Sequence, residues 1–325
     1  MKRPWTLPLV PLYATGSAMR SAALRLGLEQ IQRLAGPVIS VGSLSAGGAG
    51  KTPFVIALAR LLKAENIPVD VLSRGYGRAE SGPAFVKADG DAAVYGDEPL
   101  LIAREAGVPV YVGARRYEAG LLAEKSGSGT AVHLLDDGFQ HRQLARNADI
   151  VLVSTNDLQD RLLPAGNRRE PLSALKRADV LAVPSEDDAA VERLRAMGLK
   201  QPVWRFRREM DVPKIDDPTA AFCGIARPEQ FFTGLERAGV ILAARHAFAD
   251  HHRFDRSDTA MLMRLARHSG ARGFVTTAKD HVRLGSLADE LATPLNVAGL
   301  RTIFEDEASV SGWLRKTISV VRDEN

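Results

Sequence analysis

The 325-residue sequence has little of what secreted, membrane-spanning or nucleic-acid-binding proteins usually contain. Its single cysteine, Cys223, excludes an internal disulfide and favours a reducing compartment. Because no run of about 18 apolar residues occurs, no membrane-spanning helix is expected. The net charge of +4 comes from residues 1–36, which hold five basic side chains against Glu29, whereas the rest of the chain carries 38 of each sign. Binding to nucleic acid is therefore not expected.

What is present is an ordinary globular composition, 45% apolar and 25% charged, in a chain long enough for two cores. Short apolar runs alternate with helical patterns near 54–64, 98–106, 115–125 and 171–177. This alternation predicts an α/β fold in which helices cover a parallel sheet. The first six predicted strands are Val38–Val41, Val69–Leu72, Val108–Val112, Val132–Leu135, Ile150–Val153 and Val180–Val183.

A polar segment with two prolines, Asp211–Pro218, is typical of a linker. A second α/β set follows it, with strands expected near Ala220–Cys223, Gly273–Thr277 and Leu295–Val297. We therefore predict three parts. They are a basic segment over 1–36, a core domain over 37–210 and a smaller C-terminal α/β domain over 211–325.

The basic segment contains a helical pattern over 17–35. Its apolar and charged positions fall on different faces. The apolar face contains Leu24, Leu28, Ile31 and Ala35, and the charged face contains Arg25, Glu29 and Arg33. Two roles stay open for this amphipathic helix: packing on the core, or lying on an anionic membrane surface with Trp5 and Tyr13 near the interface. The first residues resemble a signal peptide, but three prolines interrupt the apolar stretch, so export is not expected.

The stretch Gly42–Pro53 follows a predicted strand and precedes a predicted helix. Strand, glycine-rich turn and helix with Gly-Lys-Thr at its start form the arrangement of a P-loop, which binds a nucleoside triphosphate. Lys51 can reach the β- and γ-phosphates, and the Thr52 hydroxyl can ligate Mg²⁺. The residues expected to line the phosphates are Ser45, Ala46, Gly47, Gly48, Ala49, Gly50, Lys51 and Thr52.

This match to the P-loop consensus is imperfect, because Ser45 stands where the first glycine belongs. The alternative is a glycine-rich turn without a ligand. A dinucleotide-binding turn is excluded, because its third glycine would fall at Pro53.

Two acidic pairs lie at the ends of other predicted elements. Asp136 and Asp137 end an apolar strand, where a carboxylate can hold Mg²⁺ directly or through water; the alternative is a solvated Asp-Asp-Gly turn. Asp97 and Glu98 open a helix, where an acidic pair can simply be a cap. The functional interpretation makes Asp97 the base that accepts a hydroxyl proton during phosphoryl transfer.

Two further clusters carry weaker signals. Arg74 and Tyr76 follow another strand, and an arginine there can grip a phosphate, although an ordinary surface loop fits as well. In 250–252, Asp-His-His could bind a metal, orient a catalytic carboxylate, or cap a helix at the surface.

Taken in order, these motifs resemble the tetraacyldisaccharide 4′-kinase family, the lipid A 4′-kinases. The resemblance covers most of the chain. Its motifs are Gly42–Pro53, LSRGYG at 72–77, GDEP at 96–99, LDDGFQH at 135–141, LPAG and REP at 163–171, DHH at 250–252 and TTAKD at 276–280.

The resemblance implies a kinase that uses ATP and Mg²⁺ to phosphorylate the 4′-hydroxyl of a tetraacyl-disaccharide 1-phosphate in lipid A biosynthesis. It implies a peripheral position on the cytoplasmic face of the inner membrane, with the N-terminal helix against membrane and acyl chains. A monomer is expected.

The resemblance also implies roles for individual positions. Lys51 and Thr52 would hold phosphates, and Asp97 would be the base, oriented by the imidazole of His251. The implied metal ligands are Thr52, Glu98, Asp136 and Asp137. The residues implied to face the substrate are Arg74, Tyr76, Arg116, His141 and Arg169.

The sequence departs from the family pattern at Ser43, Ala49, Asn147 and Ala278, and none of these changes removes a residue given a catalytic role. The main rival is a partitioning or assembly ATPase that switches on ATP. Those proteins typically carry a lysine just before the glycine pair, where this chain has Ala46. A non-catalytic nucleotide-binding scaffold would leave the GDEP and DHH motifs without a purpose.

Overall fold

The computed structural model describes residues 4–80, 82–128 and 131–323. Within these residues, twelve strands belong to one sheet. They are β1 (Val38–Ser43), β2 (Val69–Ser73), β3 (Ala84–Phe85), β4 (Val110–Val112), β5 (Val132–Asp136), β6 (Ala148–Leu152), β7 (Val180–Pro184), β8 (Val203–Asp211), β9 (Thr219–Cys223), β10 (Leu242–Ala247), β11 (Gly273–Thr277) and β12 (Leu295–Phe304). Their order is β10-β9-β11-β12-β8-β7-β6-β1-β5-β2-β4-β3.

The α-helices within the same described ranges cover this sheet. They are α1 (Val10–Arg25), α2 (Lys51–Ala64), α3 (Ala92–Tyr95), α4 (Asp97–Ala106), α5 (Arg116–Ala123), α6 (Thr155–Gln159), α7 (Asp188–Ala196), α8 (Pro228–Arg237), α9 (Arg256–Ser269), α10 (Ala278–Leu284) and α11 (Glu307–Asp323). Short 3₁₀ segments span Pro4–Leu9, Leu172–Arg177 and Gly285–Glu290, and a π turn spans Glu124–Ser128.

The predicted parallel α/β sheet is confirmed, and all six strands expected in the first part are present with small shifts at their ends. β1 lies between β5 and β6 and pairs in parallel with both. β1, β2, β5, β6 and β7 are buried along their whole length, because helices cover both faces of a parallel sheet. Their carboxyl ends therefore meet along one edge, where ligands of open α/β sheets bind.

The second half of the chain joins this sheet through an antiparallel pair, β8 with β12, which is followed by the parallel strands β11, β9 and β10. The last helix, α11, returns to the first half of the chain. Its Val310, Leu314 and Ile318 belong to the same apolar core as α2. The Trp313 ring also meets Trp204 of β8 edge-on, with ring centroids 5.3 Å apart.

The predicted helix over 17–35 was wrong in its position. The structure has a helix at Val10–Arg25, and Leu28, Ile31 and Ala35 lie beyond its end. The helix begins at Val10, and Pro11 occupies its first turn, where a missing N–H costs nothing. It ends because Gly27, at φ 70°, closes a hydrogen-bonded C-terminal turn in which the Leu28 amide donates to Ala23.

None of the helices in the described part of the chain is long and apolar enough to cross a membrane. The N-terminal segment nevertheless exposes large apolar side chains. They are Trp5, Leu7, Leu9, Leu12, Met19, Leu26, Leu28 and Ile31.

Candidate active site

The glycine loop lies at the carboxyl end of β1. Gly47, Gly48 and Gly50 all have positive φ, between 64° and 74°, which side chains with a Cβ rarely adopt. Gly50 is the N-cap of α2, so the first amides of that helix point into the loop. The arrangement can hold phosphate oxygens at a helix N-terminus, as the sequence predicts.

A second segment fixes the loop from outside. The amide of Ala46 donates to the carbonyl of Asn167 at 2.8 Å, and the amide of Arg169 donates to the carbonyl of Leu44 at 2.7 Å. The sequence motif that contains Arg169 therefore lies directly against the phosphate loop. Sequence reasoning placed Arg169 near the substrate and did not predict this backbone contact.

Asp137 follows β5 and faces two cations. The Arg169 guanidinium donates to both of its carboxylate oxygens, at 2.6 and 2.8 Å, and Lys51 Nζ lies 3.4 Å from Oδ1. Burial alone would raise the pKa of Asp137, but Arg169 and Lys51 outweigh it and lower the pKa to about 2. Asp137 is thus a firmly ionised carboxylate that positions both cations. Its backbone has φ 51°, an unusual value for a residue with a side chain.

Asp136, the last residue of β5, has the opposite surroundings. Its side chain is buried, and its Oδ2 accepts a hydrogen bond from Ser73 Oγ at 3.2 Å, while Oδ1 has no hydrogen-bond partner. Burial and the charges of Glu98 and Asp137 raise its pKa to about 7, against the opposing charges of Lys51 and Arg116. A buried oxygen without a partner, beside other carboxylates, fits a cation.

No cluster of three or more His, Cys, Asp or Glu side chains in the described residues is arranged to hold a metal alone. Mg²⁺ is usually held by one or two carboxylates, water and substrate phosphates. Of the four residues predicted to bind it, Asp136 has a buried carboxylate oxygen without a hydrogen-bond partner. Asp137 is already engaged by Arg169.

The predicted substrate residues differ in how deeply they are buried. Arg116 is buried, and burial lowers its pKa to about 10, partly offset by the charge of Asp136. Arg74 and Tyr76 are exposed at the end of β2, and Arg74 is close enough to Arg116 to lower its pKa further. His141 is half-buried, and its carbonyl accepts a hydrogen bond from Arg146 at 2.8 Å. The structure brings Arg74, Arg116 and Asp136 together.

Asp97 begins α4 and is held by groups from the second half of the chain. Arg283 donates twice to its Oδ2, at 2.6 and 2.9 Å, and Lys279 Nζ lies 3.7 Å away. Lys279 also donates to Glu98 at 2.9 Å. Burial would raise the pKa of Asp97, but Lys279, Arg283 and His251 lower it.

Arg283 is the residue that sequence reasoning missed. It is nearly buried and also donates to the carbonyl of Gly224 at 2.7 Å and to Asp280 at 2.9 Å. The TTAKD motif gave a signal, because Lys279 belongs to it and Arg283 follows Lys279 by one helical turn of α10.

The two histidines of the DHH motif do different things. His251 Nδ1 lies 3.4 Å from Asp97 Oδ2 and 3.1 Å from Arg283 Nη2. His252 instead pairs with Asp258 at 2.8 Å, in the capping box of α9. His251 therefore has the position predicted for a histidine that orients a carboxylate, and His252 has the position predicted for a helix-capping residue. The three residues of the motif, all in the described part of the chain, do not form a metal site.

Comparison with known proteins identifies the family of the chain. The family profile of tetraacyldisaccharide-1-P 4′-kinase matches residues 3–319. The chain belongs to this family. Among its curated relatives, the tetraacyldisaccharide 4′-kinase of Koribacter versatilis is 46% identical over 295 residues, which are 88% of this chain and 90% of that protein. The one of Geobacter metallireducens is 39% identical over 306 residues, covering 86% and 88%.

A solved structure of the family is also similar. It is the crystal structure of the Aquifex aeolicus protein LpxK described as in complex with ATP, with 31% identity and a TM-score of 0.77. The match covers 96% of this chain and 98% of that one. The resemblance stated from the motifs, and the α/β fold expected with it, are confirmed.

Proposed function

We propose that the protein transfers the γ-phosphoryl group of ATP to the 4′-hydroxyl of a tetraacyl-disaccharide 1-phosphate. The observation that carries this proposal is buried Asp136 with its unpartnered oxygen, on which Lys51 of the phosphate loop and Glu98 at the start of α4 both act. Asp97, the neighbour of Glu98 in α4, is held ionised by cations. A kinase needs both a cation site and a proton acceptor beside its triphosphate site.

In the proposed arrangement the loop amides and Lys51 bind the β- and γ-phosphates. Thr52 and Asp136, with Glu98 nearby, would hold Mg²⁺, which would supply charge neutralisation on the transferring phosphoryl group. Asp137 keeps Lys51 and Arg169 in place through its ion pairs. The protein's contribution is then mainly positioning and charge compensation.

Asp97 is the proposed base. The 4′-oxygen attacks the γ-phosphorus, the bond from that phosphorus to the β,γ-bridging oxygen breaks, and ADP leaves with the electron pair. The hydroxyl proton passes to the Asp97 carboxylate. His251 and Arg283 hold Asp97 in position, since both lie within 3.4 Å of its Oδ2.

The substrate side is proposed to lie where Arg74, Arg116 and Arg169 approach the loop, with Tyr76 and His141 at its border. A mostly apolar cavity of about 470 Å³ lies between α1 and the segment 162–177, beside Arg169. Tyr13 closes one side of it by donating to the Arg169 carbonyl at 3.0 Å. A cavity of this kind beside the reaction site suits an acyl chain of the lipid substrate.

The exposed apolar residues of the N-terminal segment support a peripheral membrane position. Side chains such as Trp5, at 78% exposure, and Leu12, at 72%, would be costly in water and are stabilised in the headgroup region. We propose that residues 1–36 dock a monomer on the cytoplasmic face of the inner membrane. A larger kinase domain over 37–210 and a smaller domain over 211–325 would then lie above the lipid surface.

The activity is tested by incubating the protein with γ-labelled ATP, Mg²⁺ and the tetraacyl-disaccharide 1-phosphate in detergent micelles. Label should appear on the lipid, and phosphorus NMR should place the new phosphate on the 4′-oxygen. ATP hydrolysis without labelled lipid would instead favour a switch ATPase.

The membrane position is tested by sedimentation with anionic vesicles. Replacing Trp5 and Leu12 with Glu should release the protein from the vesicles. The matched control is Ile241→Glu, an equally apolar exposed side chain elsewhere on the molecule. Equal sedimentation of the Trp5/Leu12 variant and the control would contradict this assignment.

A further inference from the structure

Two arginines from the second half of the chain approach the glycine loop, and no role described above includes them. Arg208 lies on β8, two residues after Phe206, so both side chains are on the same face of the strand. Phe206 packs edge-on against Phe54 at the start of α2, with ring centroids 5.2 Å apart. Arg208 is thereby carried to the loop, where its Nη2 donates to the carbonyl of Ala49 at 2.9 Å.

Both guanidinium groups lie close to glycines of the loop. A Cβ added to Gly50 would come within 2.9 Å of Arg208 Nε. A Cβ added to Gly48 would lie 4.0 Å from Arg227 Nη2. Arg227 reaches this place because it follows β9 and stands at the N-cap position of α8, to which its side chain makes no hydrogen bond. Both cations are therefore within side-chain reach of whatever the loop binds.

The described residues provide no close carboxylate partner for this arginine pair. Among the described residues, neither Arg208 nor Arg227 has a carboxylate oxygen within 4.0 Å, whereas the neighbouring Arg207 pairs with Glu209 at 2.5 Å. Glu186 and Asp157 act on Arg208 only at longer range. Burial lowers the pKa of Arg208, the charge of Glu186 opposes that shift, and the like charge of Arg227 adds to it. Two adjacent cations without a carboxylate in direct contact favour an anion that binds between them.

We infer that Arg208 and Arg227 bind the phosphate chain of the nucleotide from the second half of the chain, in addition to Lys51 from the first. This inference rests on the proposed function, because it requires ATP at the glycine loop. Guanidinium groups suit the task, since their planar donor sets match phosphate oxygens. The antiparallel β8–β12 junction then contributes directly to nucleotide binding.

The test measures affinities of the full-length protein for ATP, ADP and inorganic tripolyphosphate in the presence of Mg²⁺. Arg227→Gln is the cleanest variant, because in the described part of the chain Arg227 makes no hydrogen bond to the loop that the substitution would break. We expect it to weaken ATP and tripolyphosphate binding by about tenfold, the loss typical of one charged hydrogen bond. Arg208→Gln should weaken both by at least as much, while Arg208→Lys should recover part of the loss.

Arg207→Gln is the matched control, since Arg207 precedes Arg208 on the same strand, is exposed and has its own carboxylate partner. It should bind ATP within about twofold of the wild type. Melting temperatures and adenosine affinity identify any distortion of the loop: a variant that loses adenosine and tripolyphosphate binding equally counts against a phosphate contact. Unchanged ATP affinity in both Gln variants overturns the inference. If the wild type itself fails to bind ATP, the proposed function fails instead.

Discussion

Strand β5 carries a buried titratable residue near each end, and the two ends differ in the charges that surround them. At its beginning, His133 Nδ1 lies 2.7 Å from Asp70 Oδ1, and its Nε2 lies 3.6 Å from Glu124. At its end, Asp136 faces the carboxylates of Glu98 and Asp137. Three residues along one strand thus separate a compensated pair from a group with like-charged neighbours.

The difference separates stability from function. Buried opposite charges hold each other, and removing one of them leaves the other unpaired and costly. Burial, together with the like charges of Glu98 and Asp137, raises the pKa of Asp136 to about 7, so the ionised carboxylate is unfavourable there and a bound cation would stabilise it. We therefore expect substitutions at the first end to lower stability, and substitutions at the second end to lower turnover.

The largest effect on turnover is expected at Asp97, across the site from Asp136. Asp97→Ala removes the proposed base and should lower kcat by about 10²- to 10⁴-fold. Calorimetric titration should show that ATP still binds, because Lys51 and the glycine loop remain. Near-normal turnover in this variant would rule out Asp97 as the base.

The compensated end is broken by Asp70→Asn. This variant leaves His133 buried with Glu124 as its remaining acidic neighbour, so the free energy of unfolding should fall by about 3 kcal/mol. Urea unfolding gives the stability, and a turnover assay below the unfolding transition should give a kcat within about twofold of the wild type. A large loss of kcat in the fully folded variant would contradict the proposal that this end of β5 serves stability and the other end serves function.

The opposite result is expected at the site end for Asp136→Asn. The amide removes a buried negative charge beside two others, so stability should be equal to or higher than that of the wild type. Turnover should fall roughly 100-fold, because a Mg²⁺ ligand is lost. An Asp136→Asn variant that is destabilised but keeps its activity would show that this end of β5 serves stability and not function.

The smallest effect is a dependence of stability on pH that comes from His133. Burial alone would lower its pKa, but the hydrogen bond and charge of Asp70, with Glu124, raise it. Its contribution is therefore complete below about pH 6.5, the ordinary histidine value, and is lost as the pH rises through the higher folded value. Burial also raises the pKa of Asp70 above its ordinary value, so its own loss of stability with rising pH begins at about pH 4, separately from that of the histidine.

Unfolding free energies measured between pH 6 and pH 9 should thus fall more steeply in the wild type than in His133→Gln. Parallel curves for the two proteins would show that this pair does not titrate as described. Activity need not follow either curve, because the site lies at the other end of the strand.

Much of the fold could be predicted because the central strands are buried on both faces and read as short apolar runs. β8 could not, because it carries Arg205, Arg207 and Arg208 among its apolar residues, and its pairing with β12 is antiparallel. The N-terminal helix was misplaced because apolar spacing continues past Gly27, where the backbone turns. A cap position decides such a boundary, and spacing does not.

The site could be predicted in its phosphate loop and carboxylates, which lie in local motifs. Contacts made across the chain could not. Arg283 meets Asp97 over a separation of 186 residues, and Arg169 meets Asp137 over 32. Only the folded sheet brings these groups to one edge.

The most direct test is the rise in melting temperature that ATP produces with Mg²⁺ compared with ATP and a chelator. At ATP 100 times above its Kd, binding adds about 2.7 kcal/mol to stability. The account predicts that the wild type and Asp70→Asn show the same Mg²⁺-dependent rise, whereas Asp136→Asn shows none. A full Mg²⁺-dependent rise in Asp136→Asn would contradict the cation site at the end of β5.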